Sequence, residues 1–335
     1  MIISDLSQVR AVYAAAAERG WLIPCFCSEN LVTTEAIMEA AAAFAEKYGV
    51  KRMPVSIAIT CAYSHRSQAS YYTSTRDVKT GLELFYADIA ALTEKGAPYE
   101  DLQALVHLDH IQHDLDKALT ESDLSRYSSI MYDASTLPFE ENIAKTAEFV
   151  RKKGGEIFIE GACDEIVEAT ENVKNDITTV EDAVRYMSET GVDMMVANLG
   201  TEHRASGKDL RYRGDRAREI KAAIGCKTVL HGASSVSNDQ IGDLFSDGIC
   251  KVNVWTALER DSAPDIFAAL VKNAVKAAGR DAVKALIDEG YLTEKCLDTG
   301  DRINIACFTQ AYRNGIMAKR IREMVTAYYE LWLKA

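Results

Sequence analysis

Eight times along this 335-residue chain a short apolar run appears, and nearly every one is followed by a stretch with helical spacing. That rhythm restricts the fold more than any single motif. The strand-like runs are Leu22–Cys27, Pro54–Thr60, Leu102–His107, Ser128–Asp133, Glu156–Glu160, Asp193–Asn198, Lys227–His231 and Gly248–Asn253. Short apolar runs bounded by turn residues read as buried strands, and apolar residues at three- and four-residue spacing read as helices. Helical stretches fall at Thr33–Tyr48, Val78–Lys95, Asp114–Thr120, Phe139–Gly154, Thr179–Thr190, Asp215–Gly225 and Ser237–Ser246, with a capped helix over Ser4–Gly20 ahead of them. Strand–helix alternation implies a parallel sheet, and eight units suit a closed (β/α)8 TIM barrel in the α/β class. A doubly wound open sheet is the alternative, but no Gly-x-Gly-x-x-Gly turn follows the first strand.

The barrel is expected over about 22–256. From 258 to 335 the chain reads as a helical C-terminal extension: Asp265–Ala278 opening at Pro264, then Arg280–Gly290 and Gln310–Ala335. No linker, repeat or low-complexity segment interrupts residues 1–335, so a single domain is expected. The last helix carries Met317, Ile321, Met324, Tyr328, Tyr329, Trp332 and Leu333. Such a stripe packs on the parent domain or on a second copy, and a homodimer or homotetramer is expected.

Several function classes are disfavoured. The net charge is −12 with no basic stretch, which argues against nucleic acid. No uncharged apolar run approaches the roughly 18 residues of a membrane span. Ala14–Ala17 is too short for a secretory core and is followed by Glu18 and Arg19. The eight cysteines are scattered, with no CxxC pair, as expected for free thiols in the cytoplasm.

In a parallel barrel the C-terminal strand ends converge on one face, where the chemistry lies. Here those ends carry Asp109-His110, Asp133-Ala134-Ser135, Glu160, Gly200-Thr201-Glu202-His203, His231-Gly232-Ala233-Ser234 and Asn253-Val254-Trp255-Thr256. Three of the six histidines, His110, His203 and His231, fall at such ends. Three imidazoles around an open position form a catalytic zinc arrangement, in which the metal polarises a carbonyl or activates water. Asp109, next to a candidate ligand, suits acid–base work. Asp133 and Glu160 suit the metal or the orientation of its ligands. Strand alternation alone would send Asp109 and His110 to opposite faces, so the third strand must end or bend there for both to act. Gly232, Ser234, Asn253 and Thr256, in the loops after strands seven and eight, suit a phosphate; ordinary turns share that composition.

In this order, the segments Leu105–His110 (LVHLDH), Ser129–Ile143 (SIMYDASTLPFEENI), Gly191–His203 (GVDMMVANLGTEH), Val229–Ser234 (VLHGAS) and Lys251–Asn253 with Thr256 resemble the class II, zinc-dependent ketose-bisphosphate aldolase family, whose members include fructose- and tagatose-bisphosphate aldolases. The resemblance implies a carbon–carbon lyase that reversibly cleaves a phosphorylated ketose to dihydroxyacetone phosphate and an aldehyde. It implies one catalytic Zn2+ on His110, His203 and His231, with Asp133 and Glu160 at acidic positions near the metal. A second metal or a monovalent cation stays open. Asp109 takes the role of the group that handles the C4 hydroxyl proton. Gly232, Ser234, Asn253 and Thr256 take the phosphate cradle. The family's second base is a glutamate on the loop after strand five; of Glu165, Glu168 and Glu171, Glu168 fits the spacing best.

The sequence departs from the family pattern in places. The strand-five segment reads Glu160-Gly161-Ala162-Cys163-Asp164-Glu165, without the family's second glutamate or later glycines. Arg204 replaces a glycine, Cys27 an asparagine and Thr60 a serine at the strand-two position, while Trp255 stands where fructose-bisphosphate members carry an acid. Trp255 adds apolar bulk, and Arg204 adds a planar donor fork suited to an oxyanion. The expected substrate is therefore a small sugar phosphate other than fructose 1,6-bisphosphate, with Arg204 and Thr60 among its contacts. A metal-dependent TIM-barrel hydrolase and a non-catalytic sugar-phosphate-binding relative are the competing functions.

Overall fold

Strands buried on both faces carry near-continuous apolar sequence, and the eight strands here do so because they close on one another. The computed structural model describes residues 1–165, 177–201, 212–237 and 239–333. Strands β1 (Ile23–Cys27), β2 (Pro54–Thr60), β3 (Gln103–Gln112), β4 (Ser129–Asp133), β5 (Phe158–Ala162), β6 (Met194–Val196), β7 (Thr228–Leu230) and β8 (Ile249–Val254) form a closed barrel in sequence order. Every pairing is parallel, and β1 closes on β8 with Cys25 opposite Asn253. The (β/α)8 expectation is met.

The helices start where side-chain caps are available. Asp5, Asn30, Asp77 and Thr179 each accept from a backbone N–H in the first turn of the helix they precede. Gly161 marks a close approach of a helix to the sheet. A Cβ there would lie 2.6 Å from the Tyr186 hydroxyl and 3.0 Å from Val192.

Three expectations are corrected. The third strand does not stop at His107 but runs to Gln112. The helix expected from Pro264 begins at Thr256 and runs to Lys272 with Pro264 inside it; burial of Ala257, Leu258 and Ser262, with packing on the C-terminal helix, anchors the turns before the proline. The stretch Ser237–Ser246 yields only a short helix, Leu244–Asp247.

The C-terminal helix, Gln310–Trp332, lays its stripe on the parent barrel. Tyr329 is fully buried between Phe26 and Phe44, and the Trp332 indole donates to the Ile241 carbonyl at 2.9 Å. The intervening arm has a small core of its own around Ala274, Val275 and Val283. It leaves Phe267, Tyr291, Ile303 and Ile305 exposed. Among the described residues no helix is long and apolar enough to cross a membrane.

Candidate active site

The placement of Asp109 and His110 depends on a bulge in β3. His107 and Leu108 pair with Ser129 and Ile130 of β4; pairing then resumes with Ile111 opposite Tyr132. Asp109 and His110 thus share the single partner position of Met131. The extra residue is taken up at His110, whose φ of 48° lies in the left-handed region. For a residue other than glycine that costs roughly 1–2 kcal/mol. The result is that both side chains, which strict alternation would send to opposite faces, line the same cleft.

His110 is fixed from three sides. Its Nδ1 lies 2.9 Å from Asp133 Oδ2, its Nε2 lies 3.0 Å from His231 Nδ1, and its ring stacks on Tyr63 with centroids 4.4 Å apart. Ionised Asp133 only accepts, so Nδ1 carries a proton and Nε2 presents its lone pair to the cleft. Asp133 is itself braced by Gln112 Nε2 at 2.9 Å and by the Ser135 N–H and hydroxyl at 3.1 and 2.7 Å. Burial opposes the Asp133 charge, but the His110 and Ser135 contacts outweigh it and hold the carboxyl well below its ordinary range. Burial likewise pulls His110 down, and Asp109 and Asp133 raise it above its ordinary value.

Asp109, His110 and His231 are all buried, and each offers a ligand atom within 4.8 Å of the others. Two imidazoles and a carboxylate are donors that zinc accepts. The 3.0 Å between the two ring nitrogens is close to the spacing of about 3.3 Å that nitrogens on one tetrahedral zinc adopt. The described residues therefore fit a divalent ion. His203, Arg204 and Glu168 lie outside the described residues.

Glu160 lies elsewhere. It is fully buried in the barrel centre, 3.0 Å from the Lys251 ammonium and 3.7 Å from His107 Nε2, and it is not in the metal-capable group. Asp133 reaches that group only through His110. Asn253, expected at the phosphate, turns its amide to Asp109: Nδ2 donates to Oδ1 at 2.8 Å, while Asn253 Oδ1 accepts from Lys251 at 2.7 Å. Burial disfavours the Asp109 charge, yet His110, His107 and His231 more than offset it, and Asp109 is held well below the ordinary carboxylate range. Lys251 is also kept charged, since Cys25, Glu160 and Asp109 outweigh the effect of burial.

The remaining candidates line an open cleft of about 600 Å³ above this group. Gly232, at φ 71°, turns the chain from β7 into the short 3-10 turn Ala233–Ser235. Opposite it, Thr256 and Ala257 open a 17-residue helix, and first-turn N–H groups lack intrahelical acceptors. Gly232, Ser234 and Thr256 thus all line the cleft, where a phosphate would meet backbone donors. The Thr60 hydroxyl is bonded to the Arg66 carbonyl and accepts from the Gln68 N–H at 2.9 Å, so it shapes the loop after β2 while lining the cleft.

That loop supplies two residues that sequence inspection did not single out, Tyr63 and Arg66. The Arg66 guanidinium is paired with Glu29 and lies 5.5 Å from the centroid of Trp255. Lys251 has no role assigned from the sequence beyond its place in the segment Lys251–Asn253; its partners come from β3, β5 and its own strand β8.

Comparison with known proteins agrees with this geometry. The family model described as fructose-bisphosphate aldolase class-II matches residues 7–297. A fructose-bisphosphate aldolase of Streptococcus pyogenes serotype M1 is 32% identical over 249 residues, covering 72% of this chain and 76% of the relative. The crystal structure of fructose-bisphosphate aldolase from Campylobacter jejuni superposes with a TM-score of 0.71 at 16% identity, over 99% of this chain and 95% of that one. The YdjI aldolase of Escherichia coli K12 gives 0.64 at 20% identity, over 99% and 97%. These two structures share the fold. The family match over residues 7–297 and the 32% identical relative show that the chain belongs to the class II fructose-bisphosphate aldolase family, a family of lyases.

Proposed function

We propose that this chain is a zinc-dependent aldolase that reversibly cleaves a phosphorylated ketose to dihydroxyacetone phosphate and an aldehyde. The observation that carries the proposal is the Asp109, His110 and His231 group in one cleft with Gly232, Ser234 and Thr256. His110 and His231, with His203, are the proposed ligands. Bound zinc supplies a Lewis acid that stabilises negative charge on the C2 and C3 oxygens. The chain's own residues do the rest. Asp109 accepts the C4 hydroxyl proton as the C3–C4 bond breaks; its electron pair passes to C3 and C4 becomes an aldehyde. Glu168 is proposed to return a proton to C3, completing dihydroxyacetone phosphate. Asp133 holds the tautomer of His110, and the backbone donors of the β7 and β8 loops hold the phosphate.

The far end of the cleft supports a substrate other than fructose 1,6-bisphosphate. Among the described residues, Arg66 is the one lysine or arginine lining the cleft, and Glu29 already matches its charge. A neighbouring carboxyl, Glu259, is raised by burial and by Glu29. Among the described residues a second phosphate finds little uncompensated positive charge there, whereas Trp255 offers apolar surface to a less polar or uncharged end. The substrate is proposed to be a ketose monophosphate, or one whose distal anion, if any, is not a phosphate. A homodimer or homotetramer is also proposed, now through the exposed apolar residues of the arm, and the eight free thiols suit a cytoplasmic location.

The test is aldol addition between dihydroxyacetone phosphate and a panel of aldehydes, with and without a chelator. Metal-dependent addition to uncharged aldehydes is the expected outcome. No addition to any of them refutes the aldolase proposal, and efficient cleavage of fructose 1,6-bisphosphate refutes the substrate assignment.

A further inference from the structure

The Lys251 ammonium is fully buried near the barrel axis and belongs to none of the groups assigned to metal or phosphate. It lies 3.0 Å from Glu160, 2.7 Å from the Asn253 amide oxygen and 3.3 Å from His107 Nε2. Those three partners account for its three N–H donors. An ammonium can only donate, so Asn253 must turn its oxygen to Lys251. The amide NH2 is then left facing Asp109, an acceptor, at 2.8 Å. The same ammonium fixes the tautomer of His107: Nε2 accepts, so Nδ1 donates to the Ser129 hydroxyl at 2.8 Å.

We infer that Lys251 is the positioning residue for the acid–base group of this enzyme, acting through Asn253. The inference rests on the proposed aldolase chemistry and deepens it. One Asp109 oxygen is tied down by Asn253. Among the described residues the other has the weak Cys27 thiol contact, at 3.5 Å, and is left to receive the C4 hydroxyl proton. Without the ammonium, the Asn253 oxygen loses its 2.7 Å donor and only the Asp109 carboxylate itself still orients the amide. Unanchored at its far end, the amide would no longer hold Asp109 in one place.

Lys251→Met alone strands the buried Glu160 carboxylate and risks misfolding. The double variant Lys251→Met/Glu160→Gln removes both charges together and keeps the test usable. Two reactions are measured on the wild type, both Lys251 variants and Asp109→Asn. One is addition of dihydroxyacetone phosphate to an aldehyde accepted by the wild type. The other is exchange of the C3 proton of dihydroxyacetone phosphate in deuterated water, which does not use the C4 hydroxyl. Metal content and the circular dichroism melt are recorded alongside. A misplaced acid–base group predicts addition lowered by about 100-fold with exchange kept within about threefold, the same split as Asp109→Asn. A purely structural role lowers both reactions in parallel, and that result, or no loss of addition, overturns the inference. If the wild type shows neither reaction, the aldolase proposal falls first and the role of Lys251 falls with it.

Discussion

Asp133→Asn changes one charge and almost no volume, and it isolates how the fold prepares His110 for a metal. In the wild type the carboxylate accepts from His110 Nδ1 and Gln112 Nε2 on one oxygen and from the Ser135 N–H and hydroxyl on the other. An amide has only one oxygen. Turned to Ser135, it would set its NH2 against two donors, so it turns to His110 and gives up the Ser135 N–H. His110 then keeps an acceptor without its charge. Charge-assisted hydrogen bonds contribute about 1.5–3 kcal/mol and neutral ones about 0.5–1.5, so the loss is about 1–1.5 kcal/mol. That corresponds to roughly a tenfold weaker metal affinity, at the low end of the 10–100-fold seen when such orienting partners are removed. Asp133→Ala, which leaves Nδ1 with no acceptor at that position, should reach the high end of that range. The assay is competition for zinc against a chromogenic chelator, on protein shown to be folded by circular dichroism. Unchanged affinity in both variants, or a loss from Asp133→Asn as large as that from His231→Ala, would refute the orienting role.

Three further perturbations address the scaffold. His110→Val should melt lower than His110→Asn in metal-free protein by an amount equivalent to roughly 1–2 kcal/mol, because asparagine tolerates the left-handed backbone and a β-branched residue does not; equal melting temperatures would remove the strain from the account. Gly161→Ala should destabilise by about 1–3 kcal/mol in urea titration, since its Cβ has no room beside Tyr186 and Val192; a neutral effect would show that helix Val180–Thr190 yields easily. Asp116, raised by burial although it accepts from the Gln112 and Ala62 N–H groups, takes up a proton in the folded state before it does in the unfolded chain. Wild-type stability relative to Asp116→Asn should therefore improve as pH falls through the folded pKa toward the unfolded value near 4, and a flat difference across that window would contradict the burial argument.

The barrel is legible because its strands are buried on both faces, which leaves eight apolar runs whose bounds, the end of β3 apart, fall close to the observed ones. The convergence of His110 and His231 was legible for the same reason: once the strands are placed, their ends must meet. What could not be read was anything decided by pairs distant in sequence. Polar residues at 107, 109 and 110 look like the end of a strand, yet β3 continues through them because each finds a partner from another strand: Ser129 for His107, Asn253 for Asp109 and Asp133 for His110. Glu160 looked like a metal-site acid because its complement, Lys251, lies 91 residues away. Pro264 reads as a helix start because local propensity favours it there, and burial of the preceding turns overrides that preference. The bulge at His110 shows the limit most clearly. A period-two pattern separates Asp109 from His110, and only a strained residue in the left-handed region brings them together. Strain of that kind persists where surrounding contacts over-determine it, and here Tyr63, Asp133 and His231 do so. The left-handed conformation at His110 is thus what puts the carboxylate proposed to handle the proton beside the proposed ligand, as cleavage of the C3–C4 bond next to a metal-polarised carbonyl would require.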